Sequence, residues 1–222
     1  MKIAVLFSGG KDSTYAAWFA KKQGHEISCL ISITSKNKES FMFHTPGIEF
    51  TKKQAKLMEI PLIVQKTEGE KEIELEDLEK AIINAKKKFD IEGVVTGAVG
   101  SVYQASRIKK ICDKLGLECI NPLWQKDQIE LLKDLIKDNF EIIISAVAAY
   151  PLDRTWVGRK IDKEFILEVE ELQKKYKVNP AGEGGEFETL VVNCELFKKR
   201  LDVELVNVVG EGNSWKGNFK EK

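Results

Sequence analysis

Through the first half of the chain, short apolar runs alternate with longer stretches in which apolar residues recur every third or fourth position. The runs at 3–7, 27–33, 61–64, 93–96 and 117–120 predict five buried strands. The stretches at 12–22, 46–58, 72–89 and 102–115 predict the helices between them, so the pattern is that of a parallel sheet with helices on both faces. Gly24 is placed to end the first helix as a left-handed cap, and Pro46 suits the first turn of the second. The third helix carries Glu72, Glu74, Glu76 and Asp77 in its first half and Lys86, Lys87 and Lys88 at its end. That order complements the helix dipole by roughly a few tenths of a kcal/mol per charge.

The alternation stops at Asn121-Pro122-Leu123-Trp124, where proline biases the preceding residue away from helix. Beyond it a helix is expected at 127–137, a strand at 141–148, and a loop containing Pro151, Arg154 and Trp156. A helix at 162–176 follows, with Phe165, Val169, Leu172 and Tyr176 on one face. The glycine-rich loop 182–185 and strands at 189–192 and 203–209 complete the reading. It yields two domains: residues 1–123, a Rossmann-like α/β unit with a five-stranded parallel sheet, and residues 124–222, a smaller α+β unit.

Composition removes several classes of function. In 222 residues, 35 basic and 35 acidic side chains cancel, so nothing in the balance calls for nucleic acid or a membrane surface. No apolar run approaches the ~20 residues that span a bilayer. The apolar run that follows Lys2 is too short for the core of a signal peptide, so a cytosolic protein is expected. Cys29, Cys112, Cys119 and Cys194 form no C-x-x-C pair, which argues against a zinc knuckle or a dithiol motif and for four buried thiols.

The chemistry is concentrated in Ser8-Gly9-Gly10-Lys11-Asp12-Ser13, between a predicted strand and a predicted helix. A helix N-terminus has unpaired amide donors and a partial positive charge, and glycines let an anion approach them. The segment is not a Walker A loop, because Val5 stands where its first glycine belongs and Asp12 follows Lys11. Nor does it contain G-x-G-x-x-G. It resembles the PP-loop of the ATP pyrophosphatase superfamily, S-G-G-K-D-S, at all six positions. The resemblance implies that Ser8, Gly9, Gly10 and Ser13 donate to the outer phosphates of ATP, that Lys11 neutralises departing pyrophosphate, and that Asp12 orients the loop or holds magnesium. Ligands lie at the carboxyl ends of parallel strands, which puts adenine near Ser32 and Ile33, with Gly97 allowing close approach opposite.

A second segment, Gly182-Glu183-Gly184-Gly185-Glu186-Phe187-Glu188-Thr189, interleaves carboxylates and glycines ahead of a strand. By composition it is a solvated turn. Together with Ser8–Ser13, His44-Thr45-Pro46, Gly97 and 101–107, however, it makes nearly the whole chain resemble the diphthine-ammonia ligase family. That resemblance implies amidation of diphthine, a modified histidine of translation elongation factor two, by ammonium. ATP would activate the carboxylate as an acyl-adenylate, releasing pyrophosphate and then AMP. Lys11, Asp12 and Glu186 are then the expected catalytic residues. Glu183, Glu186 and Glu188, with Gly184, Gly185 and Thr189, become the expected acceptor pocket, holding trimethylammonium, ammonium or magnesium. Tyr103, Trp156 and Phe187 are aromatic candidates for the quaternary ammonium, although packing alone explains such residues equally well. His44 is a candidate beside ATP or a local hydrogen-bond partner before Pro46, and Arg107, four residues from Tyr103 on one helix face, is a candidate beside a phosphate or part of a solvated face with Lys109 and Lys110. The oligomeric state stays open, a homodimer among the options. Two other readings also stay open: a PP-loop enzyme that thiolates tRNA, and an ATP-binding regulatory module without turnover.

Overall fold

The computed structural model describes residues 1–35, 48–69 and 73–222. His44, Thr45 and Pro46, with the expected helix starts at 46 and 72, lie outside the described residues. Two compact units divide the chain, residues 1–124 and 125–222. Among the described residues no helix is long and apolar enough to cross a membrane.

In the first unit, strands β1 (Lys2–Leu6), β2 (Glu26–Ser35), β3 (Leu62–Thr67), β4 (Gly93–Val95) and β5 (Glu118–Ile120) form one sheet in the order β3-β2-β1-β4-β5. All neighbours run parallel. The helices are α1 (Lys11–Lys22), α2 (Ile48–Met58), α3 (Ile73–Phe89) and α4 (Val102–Leu115). Side chains alternate across a strand, so Ala4, Ile31, Ile33 and Val94 face one side, where Leu78, Ile82, Ile108 and Ile111 of α3 and α4 close a core. The opposite side is covered by α1 and α2. Gly24, with φ +87°, lies just past α1, where its N–H reaches the Lys21 carbonyl and that of His25 the Ala20 carbonyl. The chain thereby turns straight into β2.

The second unit is built differently. Helices α5 (Gln128–Lys137) and α6 (Lys163–Tyr176) accompany β6 (Glu141–Val147), β7 (Phe187–Asn193), β8 (Val203–Glu211) and β9 (Ser214–Glu221). The four strands pair antiparallel in the order β7-β6-β9-β8. A single turn of 3-10 helix at Arg154–Trp156, opened by Asp153, precedes a strap whose backbone bonds to β6 through Gly158, Arg159 and Ile161. Phe165 is fully buried and meets Trp156 and Phe187 edge to face, with ring centroids 5.6 and 5.7 Å away. Strand β9 was absent from the sequence reading, and β7 begins two residues before the expected start at 189.

Candidate functional site

Parallel pairing brings the chain out of β1 at the carboxyl edge of the sheet, where it must reverse into α1. Ser8, Gly9 and Gly10 make that reversal. Gly9 sits at φ +82°, a left-handed conformation that other residues adopt only with strain. Gly10 is the N-cap of α1 and is extended, and no side chain caps the helix. A helix N-terminus without a side-chain cap is the arrangement that receives an anion. Ser13 Oγ lies 3.1 Å from Ser8 Oγ and accepts from the Ser8 N–H, drawing the two ends of the loop together. Thr14 Oγ1 donates to the Gly10 carbonyl at 2.8 Å.

Lys11 does not project freely. Its side chain is 4% exposed and its ammonium is 2.7 Å from Asp12 Oδ2. The other carboxylate oxygen, Asp12 Oδ1, is buried and has no hydrogen-bond partner among the described residues. A buried carboxylate oxygen without a donor is costly, and it fits a cation or a protonated ligand group arriving at the loop. Among the described residues no cluster of three or more ligating side chains exists. A divalent ion here would take Asp12 as its protein ligand and complete its shell from phosphate and water, the usual habit of magnesium.

Three residues expected beside the nucleotide have close protein surroundings of their own. β2 runs on to Ser35, held by Thr34↔Lys66 and Ser35↔Thr67 pairing with β3, so Ser32 and Ile33 lie inside the strand and not at its end. Ser32 is buried, its hydroxyl donating to the Phe7 carbonyl, and Ile33 is 4% exposed within the core. Gly97 is indeed a site of close approach, but by protein: a Cβ there would come within 2.7 Å of the Asp12 carbonyl carbon and of the Ser13 nitrogen. The missing side chain lets the phosphate loop's own helix seat against the turn after β4.

On α4, the Arg107 guanidinium lies 3.5 Å from the centroid of the half-buried Tyr103 ring. One face of that aromatic is thus already occupied by a cation. Ser101 caps the helix by accepting from the Gln104 N–H.

In the second unit, the loop from Asn179 to Glu186 folds around a carboxylate. Glu186 accepts from the Asn179 N–H at 3.0 Å and from the Gly184 N–H at 2.9 Å, one bond to each oxygen. Glu186, expected at the acceptor, thus shapes the loop that carries it. Gly185, at φ +85°, supplies the turn. Glu183, Glu188 and Thr189 are half-buried, and the latter two pair along β6 with Ala146 and Ile144. Phe187 is 5% exposed within the aromatic cluster, and Trp156 carries Arg159 over its ring at 4.4 Å. Phe187 is thus packed inside, and Trp156 already has a cation over its ring.

Models of two domain families match most of this chain: the diphthamide synthase N-terminal domain at residues 1–119 and the diphthamide synthase C-terminal domain at 127–219. The chain belongs to the diphthamide synthase family. It is 35% identical over 233 residues to a diphthine–ammonia ligase of Bos taurus, covering 94% of this chain and 85% of the relative. The same figures hold for the Homo sapiens relative. A diphthine–ammonia ligase of Schizosaccharomyces pombe is 36% identical over 217 residues, covering 90% of this chain but 36% of its own length.

Two residues of this diphthamide synthase fold escaped the sequence reading. Thr51 and Gln54 on α2 are 1% and 0% exposed. Thr51 Oγ1 donates to the Ser8 carbonyl at 3.3 Å and Gln54 Nε2 to the Gly9 carbonyl at 2.9 Å. Their signal in the sequence was slight: two polar side chains three apart in a helix, with no sign of what they face.

Proposed function

We propose that this chain forms an amide from the carboxylate of diphthine on translation elongation factor two, using ammonium and ATP and releasing AMP and pyrophosphate. ATP would supply a good leaving group, because a bare carboxylate is too poor an electrophile for ammonia. The observation that carries the reading is the uncapped N-terminus of α1, preceded by Ser8-Gly9-Gly10 and bearing Lys11 and Asp12, in a chain matched by both domains of the family.

In this reading the amides of the loop and of the first turn of α1 receive the outer phosphates, and Ser8 and Ser13 add hydroxyl donors. Lys11 stands 2.7 Å from Asp12 and exchanges part of that pairing for pyrophosphate as its charge grows. Asp12 would be the residue to hold a magnesium ion, which would supply further positive charge beside the phosphates. Arg107 is a phosphate partner kept in place by Tyr103. The acceptor is assigned to the loop 182–189, with Glu183 and Glu188 as the anionic groups and Glu186 holding the loop's shape.

Supply of protein, ATP, ammonium and diphthine-bearing elongation factor two should yield AMP and pyrophosphate in step with amide. Appearance of ADP in their place ends this mechanism. Thiolation of tRNA would need a reactive cysteine, and burial pushes the thiols of Cys29 and Cys194 up to about 12. Cys112 is raised as well, by its hydrogen bond to Cys119 and by burial, while the same hydrogen bond lowers Cys119.

A further inference from the structure

Two consecutive carbonyls of the phosphate loop, Ser8 and Gly9, each accept a bond from a buried side chain of α2, Thr51 and Gln54. A trans peptide holds its C=O and N–H on opposite sides of one plane. Fixing the Ser8 carbonyl toward α2 therefore turns the Gly9 N–H away from α2. Fixing the Gly9 carbonyl does the same for the Gly10 N–H, which donates a long bond to Ser8 Oγ, N to Oγ 3.4 Å, that a phosphate oxygen would replace or share. The fit is close as well as polar, since a Cβ on Gly9 would overlap Gln54 Oε1 and lie 3.3 Å from Thr51 Oγ1. Thr51 and Gln54 stand one turn apart, so one face of α2 matches the repeat of the loop.

We infer that Thr51 and Gln54 are positioning residues that preset the Gly9 and Gly10 amides for the outer phosphates of the nucleotide. The inference rests on the reading of this loop as the phosphate site. Neither residue touches the phosphate. Each removes a competing orientation of one peptide, so the donors need not be turned when the ligand arrives, and preorganised donors are the effective ones.

The test is calorimetric binding of inorganic pyrophosphate and, separately, of AMP to the full chain. Thr51→Val and Gln54→Leu should each weaken pyrophosphate about tenfold, the scale of one hydrogen bond, and leave AMP unchanged. Thr51→Ser, which keeps the donor, should bind pyrophosphate like the parent. If Gln54→Leu fails to fold, the Thr51→Val and Thr51→Ser pair decides the matter. Unchanged pyrophosphate affinity in Thr51→Val, or an equal loss for pyrophosphate and AMP, overturns the positioning role. A parent protein that binds no pyrophosphate at all instead overturns the phosphate site.

Discussion

At the scale of single residues, Gly97 is the sharpest constraint because what crowds it is backbone. A methyl group there meets the main chain of Asp12 and Ser13, which cannot rotate aside as a side chain would. Gly97→Ala should cost about 1–3 kcal/mol, as overpacking does, and should displace the start of α1. Pyrophosphate release should fall with it. Thermal unfolding and product assay together check this, and a variant of parental stability and turnover refutes the packing argument. The thiols make a second case. Cys29 and Cys194 are raised to about 12, chiefly by burial, while an unfolded thiol titrates near ~8.5. The folded state thus keeps its protons where the unfolded state loses them, so stability is full below that lower value and drains away as pH climbs toward the upper one. Between about pH 8.5 and 10.5 the loss should be on the order of 1–2 kcal/mol per thiol. Urea midpoints across that range should slope downward in the parent and flatten in Cys29→Ala with Cys194→Ala.

At the scale of elements, helix ends explain why some boundaries were readable. Asp162 opens α6 by accepting from the Phe165 N–H at 2.9 Å, and Asp127 opens α5 by accepting from Glu130. Both are side-chain caps of the kind that sequence announces. Asp162→Ala should cost about 1 kcal/mol of stability, measured by urea unfolding, and a cost near zero would mean the α6 terminus is held by Phe165 packing alone. The central strands of the first sheet, β1, β2 and β4, were legible because their interiors are buried and so read as apolar runs, whereas the edge strands β3 and β5 showed only short apolar stretches. β9 was not legible. Its alternating positions are Trp215, Gly217 and Phe219, and the middle one is glycine because a Cβ there would strike the Phe219 ring and Val157. A period of two with its centre missing looks like a loop. The phosphate loop was legible because backbone and local sequence define it. Its supports on α2 were not, since the partners of Thr51 and Gln54 lie 43 and 45 residues away. The part Glu186 plays in its own loop was hidden for the same reason: acidic and glycine-rich sequence does not reveal that the loop closes on its own carboxylate.

At the scale of the whole molecule, the two units differ in how firmly their parts are tied. The first unit's sheet is continuous, with β1 paired on both sides. In the second, β9 meets β6 only through Ala146↔Lys216 and Val147↔Trp215, whereas β8 and β9 pair along their whole length. A ribbon so held should open locally at lower cost than the sheet to which it is joined. Peptide-level hydrogen exchange should therefore show β8 and β9 exchanging ahead of β6, β7 and every strand of the first sheet except short β5. Added ATP with magnesium should slow exchange in the loop at 7–14 and in α2, because ligand binding to the folded form raises the cost of opening there. It should leave the loop at 179–186 unchanged until diphthine-bearing elongation factor two is present. Protection of that loop by nucleotide alone would move Glu183 and Glu188 out of the acceptor pocket and make them part of the ATP site.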